Sequence, residues 1–154
     1  PLLAACAPHL AASAEMQELS ISTMLQGAQD LAKDADAMVI EGAGGLRVPL
    51  SLDPRADTAD LFVQLHRALG LPVILVVAMR LGCINHARLS ARAIQEDGAR
   101  LMGWIANEVD PAMARRDENF DLLSARMPVP CWGRLPHAPD IDAGQLSRHI
   151  AIPL

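Results

Sequence analysis

The chain has 154 residues, 51% of them apolar, and a formal net charge of −5. That length supports a single domain with a real core, and an acidic balance with no run of Lys or Arg argues against nucleic-acid binding. Apolar runs of about eight residues are too short to span a membrane, the first residues carry no basic signal-peptide region, and Cys6, Cys83 and Cys131 form no Cys-x-x-Cys pair, which fits free thiols in a reducing, cytoplasmic setting.

Aromatic residues are scarce, with two Trp, two Phe and no Tyr, so the core must be built from Ala, Leu, Val, Ile and Met. Residues 10–35 are rich in helix formers, and Leu19, Leu25, Ala28 and Ala32 fall near one helical face. Gly27 is a weak point in that stretch. Ala37-Met38-Val39-Ile40 reads as a short buried strand, followed by a loop over 42–52. A helix is predicted from Asp57 to Leu69 and closed by Gly70. The β-branched run from Leu71 to Ala78 has the character of a strand buried on both faces of a parallel sheet.

A third helix is expected from Asn85 to Asp97, with Ala87, Ala91 and Ile94 inward and Gly98 at its end. Leu101 to Ala106 reads as a strand, Met113 to Met127 as a helix with a charged outer face, and Val129 to Leu135 as a final short strand. The tail is mostly loop, with a short helix near 143–149. Alternation of helix and strand from end to end predicts one α/β domain over residues 1–154, with a mostly parallel sheet flanked by helices. In such sheets ligands bind beyond the carboxyl ends of the strands. Glu41, the segment from Arg80 to Asn85, Asn107 and the segment Pro136 to Ala138 each follow a strand in this reading.

Glu41 heads the glycine-rich run Gly42-Ala43-Gly44-Gly45. An acid at a strand end is placed to bind Mg²⁺, which takes one or two carboxylates and keeps several waters. Glycines beside it let backbone amides approach an anion. The alternative is a Glu that caps a turn or pairs with Arg47. Gly82-Cys83-Ile84-Asn85 joins a strand to a helix, and the unpaired amides of a helix's first turn suit a carboxylate or a phosphate. Asn85 could equally be an ordinary N-cap, and Cys83 a small packing residue. Asn107 can donate to and accept from a purine edge, or simply form a turn. Arg80 complements a negative substrate or marks a solvated strand end. Arg115 and Arg116 read as solvated surface, and His9 and His86 as structural.

Three stretches together resemble the dethiobiotin synthetase family: Glu41 to Gly45 with Val48-Pro49-Leu50, then Leu81-Gly82-Cys83-Ile84-Asn85-His86-Ala87, then Ala99 to Asn107. Pro8-His9 and Gly133-Arg134-Leu135-Pro136 fall where that family has similar elements. The resemblance covers nearly the whole chain, and Leu-Gly-Cys-Ile-Asn-His is its distinctive part. Gly-Ala-Gly-Gly is shared with related P-loop amide ligases and ATPases.

The resemblance implies a P-loop NTPase-like fold and a homodimer with substrate at its interface. It implies ATP- and Mg²⁺-dependent carboxylation and ureido ring closure of 7,8-diaminopelargonic acid with CO₂, in biotin synthesis. By the same resemblance Glu41 binds the metal and Gly44 lies beside the substrate amines. Gly82, Cys83, Ile84 and Asn85 hold the substrate carboxylate. Asn107 reads adenine, and Pro136, His137 and Ala138 line the base pocket. Ala78 and Arg80 stand where Gly and Lys are frequent, and Leu46 where an aromatic is.

No Gly-x-x-x-x-Gly-Lys-Ser/Thr loop occurs in the 154 residues. The expectation is therefore a C-terminal two-thirds, inactive alone because one carboxylate cannot position ATP for phosphoryl transfer. Exposed strand edges and poor solubility would follow. The alternatives are a non-catalytic ligand-binding or dimerisation remnant, from another class, and a related P-loop amide ligase or ATPase.

Overall fold

The computed structural model describes residues 2–52 and 56–153. The chain divides into two compact units, residues 1–71 with 97–99, and residues 72–96 with 100–154.

The first unit is helical. Helix α1, Pro8–Ala14, starts with proline in its first turn, where the missing amide costs nothing. It closes with Met16 in the left-handed region at φ 52°, while Gln17 N–H donates to Ala12 O at 2.8 Å and Met16 N–H to Ser13 O at 3.2 Å. This is a Schellman closure with Met where Gly is usual. Helix α2, Ile21–Ala32, starts afresh with the Ser20 hydroxyl accepting from Thr23 N–H. The one helix expected over 10–35 is therefore two, because backbone closure at 15–17 overrides the uniform composition. Helix α3, Thr58–Leu69, packs on α2 and runs from an Asp57/Asp60 capping box to Gly70 at φ 69°.

The strand expected at Ala37–Ile40 is absent. No described strand pairs with this stretch, and Val39 is 95% exposed. Four apolar residues advertise burial, but a strand also needs neighbours for its amides and carbonyls.

The second unit is a parallel sheet flanked by helices, the expected α/β class. Strands β1 (Val73–Ala78), β2 (Leu101–Asn107) and β3 (Cys131–Leu135) lie side by side in that order. Helix α4, Cys83–Glu96, packs on β1 and β2 and meets α5, Arg116–Arg126. Helix α6, Ala143–Ser147, is a single capped turn in the tail, and Ala151 N–H returns to Trp132 O at 2.7 Å. Met79, Ile94, Trp104, Ala106 and Leu123 are almost inaccessible to solvent. Gly103 lies flat against the Trp132 indole, leaving no room for a Cβ.

Strand β1 departs from the reading of a strand buried on both faces. Among the described residues only β2 pairs with it, and Ile74 and Val76 are 40% and 56% exposed. Its sequence is that of a central strand, but its place in this sheet is an edge. The strands are parallel, so the loop into α4, the residues after Asn107 and those after Leu135 all leave from the same edge of the sheet.

Candidate functional site

The glycine-rich loop belongs to the first unit. Glu41 is exposed and has no hydrogen-bond or ion-pair partner among the described residues. Its alternative partner, Arg47, binds Asp97 at 2.6 Å and Asp57 at 3.4 Å instead. Burial works against the Arg47 charge, yet Asp97 and Asp57 more than offset it and hold the guanidinium above the usual arginine range. Gly42 faces Phe62, whose Cζ would stand 2.6 Å from an added Cβ, and Gly44 takes φ 86°. Thr58, fully buried at the start of α3, pins the loop. Its hydroxyl lies 2.7 Å from Gly45 O and 2.6 Å from Leu46 O, and accepts from Val48 N–H at 3.1 Å. The sequence reading missed Thr58, because a lone Thr one residue past an N-cap carries no signal of its own.

Among the described residues no three His, Cys, Asp or Glu side chains gather to hold a metal ion. One exposed, unpaired carboxylate nevertheless fits Mg²⁺, whose remaining ligands are commonly water and phosphate oxygens.

The second unit carries the other candidates. Helix α4 starts at Cys83, two residues before the predicted start, so Asn85 sits inside the first turn rather than capping it. Gly82, at φ 94°, makes the turn. Cys83 N–H already donates to Arg80 O at 3.0 Å, and its side chain is buried. The amides of Ile84 and Asn85 have no acceptor among the described residues. They leave two unused donors at the N-terminal end of α4, where Arg80 and Leu81 are exposed. A cavity of about 170 Å³ beside this turn is lined by residues 75–78 of β1 together with Arg80, Cys83, His86, Ala87 and Ser90.

Asn107 ends β2 opposite Leu135 of β3. Its side chain is half-buried and its amide has no partner among the described residues. Pro136, His137 and Ala138 follow β3 directly, so the parallel register brings this segment and Asn107 to the same strand ends.

Beside them lies a charge cluster that the sequence reading did not anticipate. The Glu108 side chain, 8% exposed, binds Arg134 Nε and, at 3.1 Å, Arg116 Nη1. Arg134 also binds Asp117 and stacks 4.8 Å from the centre of the Phe120 ring. Asp117 and Glu108 hold the Arg134 guanidinium above its usual range, and Arg134 in turn holds the Asp117 carboxyl below the usual carboxylate value. Arg116 is thus no solvated surface residue, whereas Arg115 is, its guanidinium paired with Glu118 of the next turn. The available signal was a carboxylate directly after a buried strand, the pattern noticed at Glu41 but not here.

A protein-family model described as an AAA domain matches residues 2–145. The chain belongs to that family. Among curated proteins it is 49% identical over 152 residues to the ATP-dependent dethiobiotin synthetase of Xanthomonas campestris, covering 99% of this chain and 65% of that protein. The ATP-dependent dethiobiotin synthetase of Xanthomonas oryzae is 48% identical over the same span. That of Aromatoleum aromaticum is 47% identical over 147 residues, 96% of this chain and 63% of the relative. The chain thus spans about two-thirds of the length of the curated relatives it matches. Its parallel sheet with flanking helices agrees with the P-loop NTPase-like architecture of this AAA family. No described helix is long and apolar enough to cross a membrane.

Proposed function

We propose that the chain is part of an ATP-dependent dethiobiotin synthetase, a carbon–nitrogen ligase that closes the ureido ring of 7,8-diaminopelargonic acid with CO₂. The observation that carries this reading is the shared edge of the parallel sheet, where the Ile84 and Asn85 amides and the Asn107 side-chain amide, all without partners among the described residues, and residues 136–138 follow adjacent strands. An anion end beside a base-reading amide is what a ligase needs to hold an acid and a nucleotide together. Curated relatives named ATP-dependent dethiobiotin synthetase, nearly half identical over almost the whole chain, support it.

In this reading Gly82 and Cys83 shape the turn, while the amides of Ile84 and Asn85 hold the substrate's carboxylate tail. The helix-end charge is worth roughly 0.3–1 kcal/mol at an exposed site, enough to orient a tail rather than to drive chemistry. Asn107 reads the adenine edge through its amide, and Pro136, His137 and Ala138 wall the base. Glu41 holds Mg²⁺, which neutralises phosphate charge when bound. Gly44, free of a side chain, lets the loop approach the substrate amines. The protein works as a cytoplasmic homodimer.

Titration of the full-length protein with diaminopelargonic acid and with its decarboxylated analogue tests the tail site. The acid is expected to bind more tightly, and equal affinities would remove the anion role of the α4 end.

A further inference from the structure

The cluster of Glu108, Arg116, Asp117 and Arg134 takes no direct part in the reading above, yet it is built around the same strand ends. Glu108 follows Asn107 immediately, and Arg134 stands two residues before Pro136. The two segments are joined twice. Glu108 N–H donates to Leu135 O at 3.0 Å, and the Glu108 carboxylate binds Arg134 Nε. Helix α5 closes the cluster from outside, with Arg116 on the second Glu108 oxygen and Asp117 on the far side of the Arg134 guanidinium. Below it Phe120 packs against Arg134 and, with ring centres 5.7 Å apart, against the wholly buried Trp104 of β2. Two carboxylates and two guanidinium groups balance, so the cluster is neutral as a whole. A buried carboxylate held by two arginines costs desolvation and is a weak reason for stability. It does fix geometry, because an arginine fork accepts few arrangements.

We infer that Glu108 is a positioning residue for nucleotide recognition. Through Arg134 and Arg116 it holds the end of β2, with Asn107, and the start of the 136–138 segment at the spacing a purine base requires. The inference rests on the nucleotide reading of Asn107 and residues 136–138. Neutralising Glu108 removes the carboxylate that both guanidinium groups share, which loosens the tie between the end of β2 and the start of the 136–138 segment. Asn107 itself is untouched, so the loss falls on nucleotide affinity and not on the site for the carboxylate tail.

The test measures binding of ATP and, separately, of diaminopelargonic acid to the full-length protein and to its Glu108→Gln, Arg134→Met and Arg134→Lys variants, well below their unfolding temperatures. Glu108→Gln and Arg134→Met are expected to weaken ATP binding about tenfold, the equivalent of one charge-assisted hydrogen bond. Diaminopelargonic acid affinity should stay within about twofold of the unsubstituted protein. Arg134→Lys, which keeps the charge but not the fork, should restore part of the ATP affinity and serves as the readout if Glu108→Gln does not fold. The double variant should be no worse than either single one, since the pair acts as a unit. ATP affinity unchanged in Glu108→Gln, or equal losses for ATP and the acid, would overturn the positioning role. Failure of the unsubstituted protein to bind ATP would instead sink the nucleotide reading, and this inference with it.

Discussion

Replacing Thr58 by Val keeps the shape of a fully buried side chain and removes its hydroxyl. The hydroxyl proton is shared between Gly45 O and Leu46 O, at 2.7 and 2.6 Å, and the oxygen accepts from Val48 N–H at 3.1 Å. Val at this position leaves that amide and at least one carbonyl without their partner. An unpaired buried group costs about 1–3 kcal/mol, but Gly45 is exposed and water can reach part of the loop, so the net loss should be about 2–3 kcal/mol. Thr58→Ser keeps the hydroxyl and loses one methyl, which should cost about 1 kcal/mol. Urea unfolding reads the difference as a shift in midpoint at constant slope. Amide hydrogen exchange at Val48 should also speed up in the Val variant and not in the Ser variant. A Val variant within about 0.5 kcal/mol of the parent, or a Ser variant as damaged as the Val one, would refute the idea that this hydroxyl organises the glycine-rich loop.

Gly103→Ala should destabilise by about 1–3 kcal/mol and alter tryptophan fluorescence, because the new methyl meets the Trp132 indole. Asn107→Ala should weaken ATP binding about tenfold while leaving diaminopelargonic acid binding unchanged, as read by calorimetric titration. The Asp117 carboxyl is held below its ordinary value of 3.8 by Arg134. A depressed acid contributes its stability above the unfolded value and loses it as pH falls through the folded one. Asp117→Asn should therefore narrow the stability gap between pH 6 and strongly acid solution, and an identical acid unfolding curve would speak against the pair.

Periodicity and capping residues made most of the fold legible. Asp57 and Gly70 bracket α3 in the sequence as they do in the structure, and the apolar runs ending at Ala78, Ala106 and Leu135 mark the three strands. Two failures share a cause. Ala37–Ile40 and the exposed face of β1 were read from apolarity, which reports what a segment prefers to bury and not which neighbour covers it. The break in the first helix was hidden because Met16 adopts a backbone state that composition assigns to glycine.

The candidate site's geometry was legible where backbone does the work. The amides of Ile84 and Asn85 and the end of β2 follow from strand-to-helix punctuation alone. Glu108, Arg116, Arg134 and Thr58 were not legible, since each acts through a partner between 8 and 26 residues away. Such pairings are set by strand register and by loop return, neither of which a one-dimensional pattern carries.

Product analysis by mass spectrometry tests the proposed activity most directly. The full-length protein, given diaminopelargonic acid, CO₂, ATP and Mg²⁺, is predicted to form dethiobiotin and ADP in equal amounts, with no ADP when the acid is withheld. ATP turnover that does not depend on diaminopelargonic acid, or an absence of dethiobiotin among the products, would contradict it.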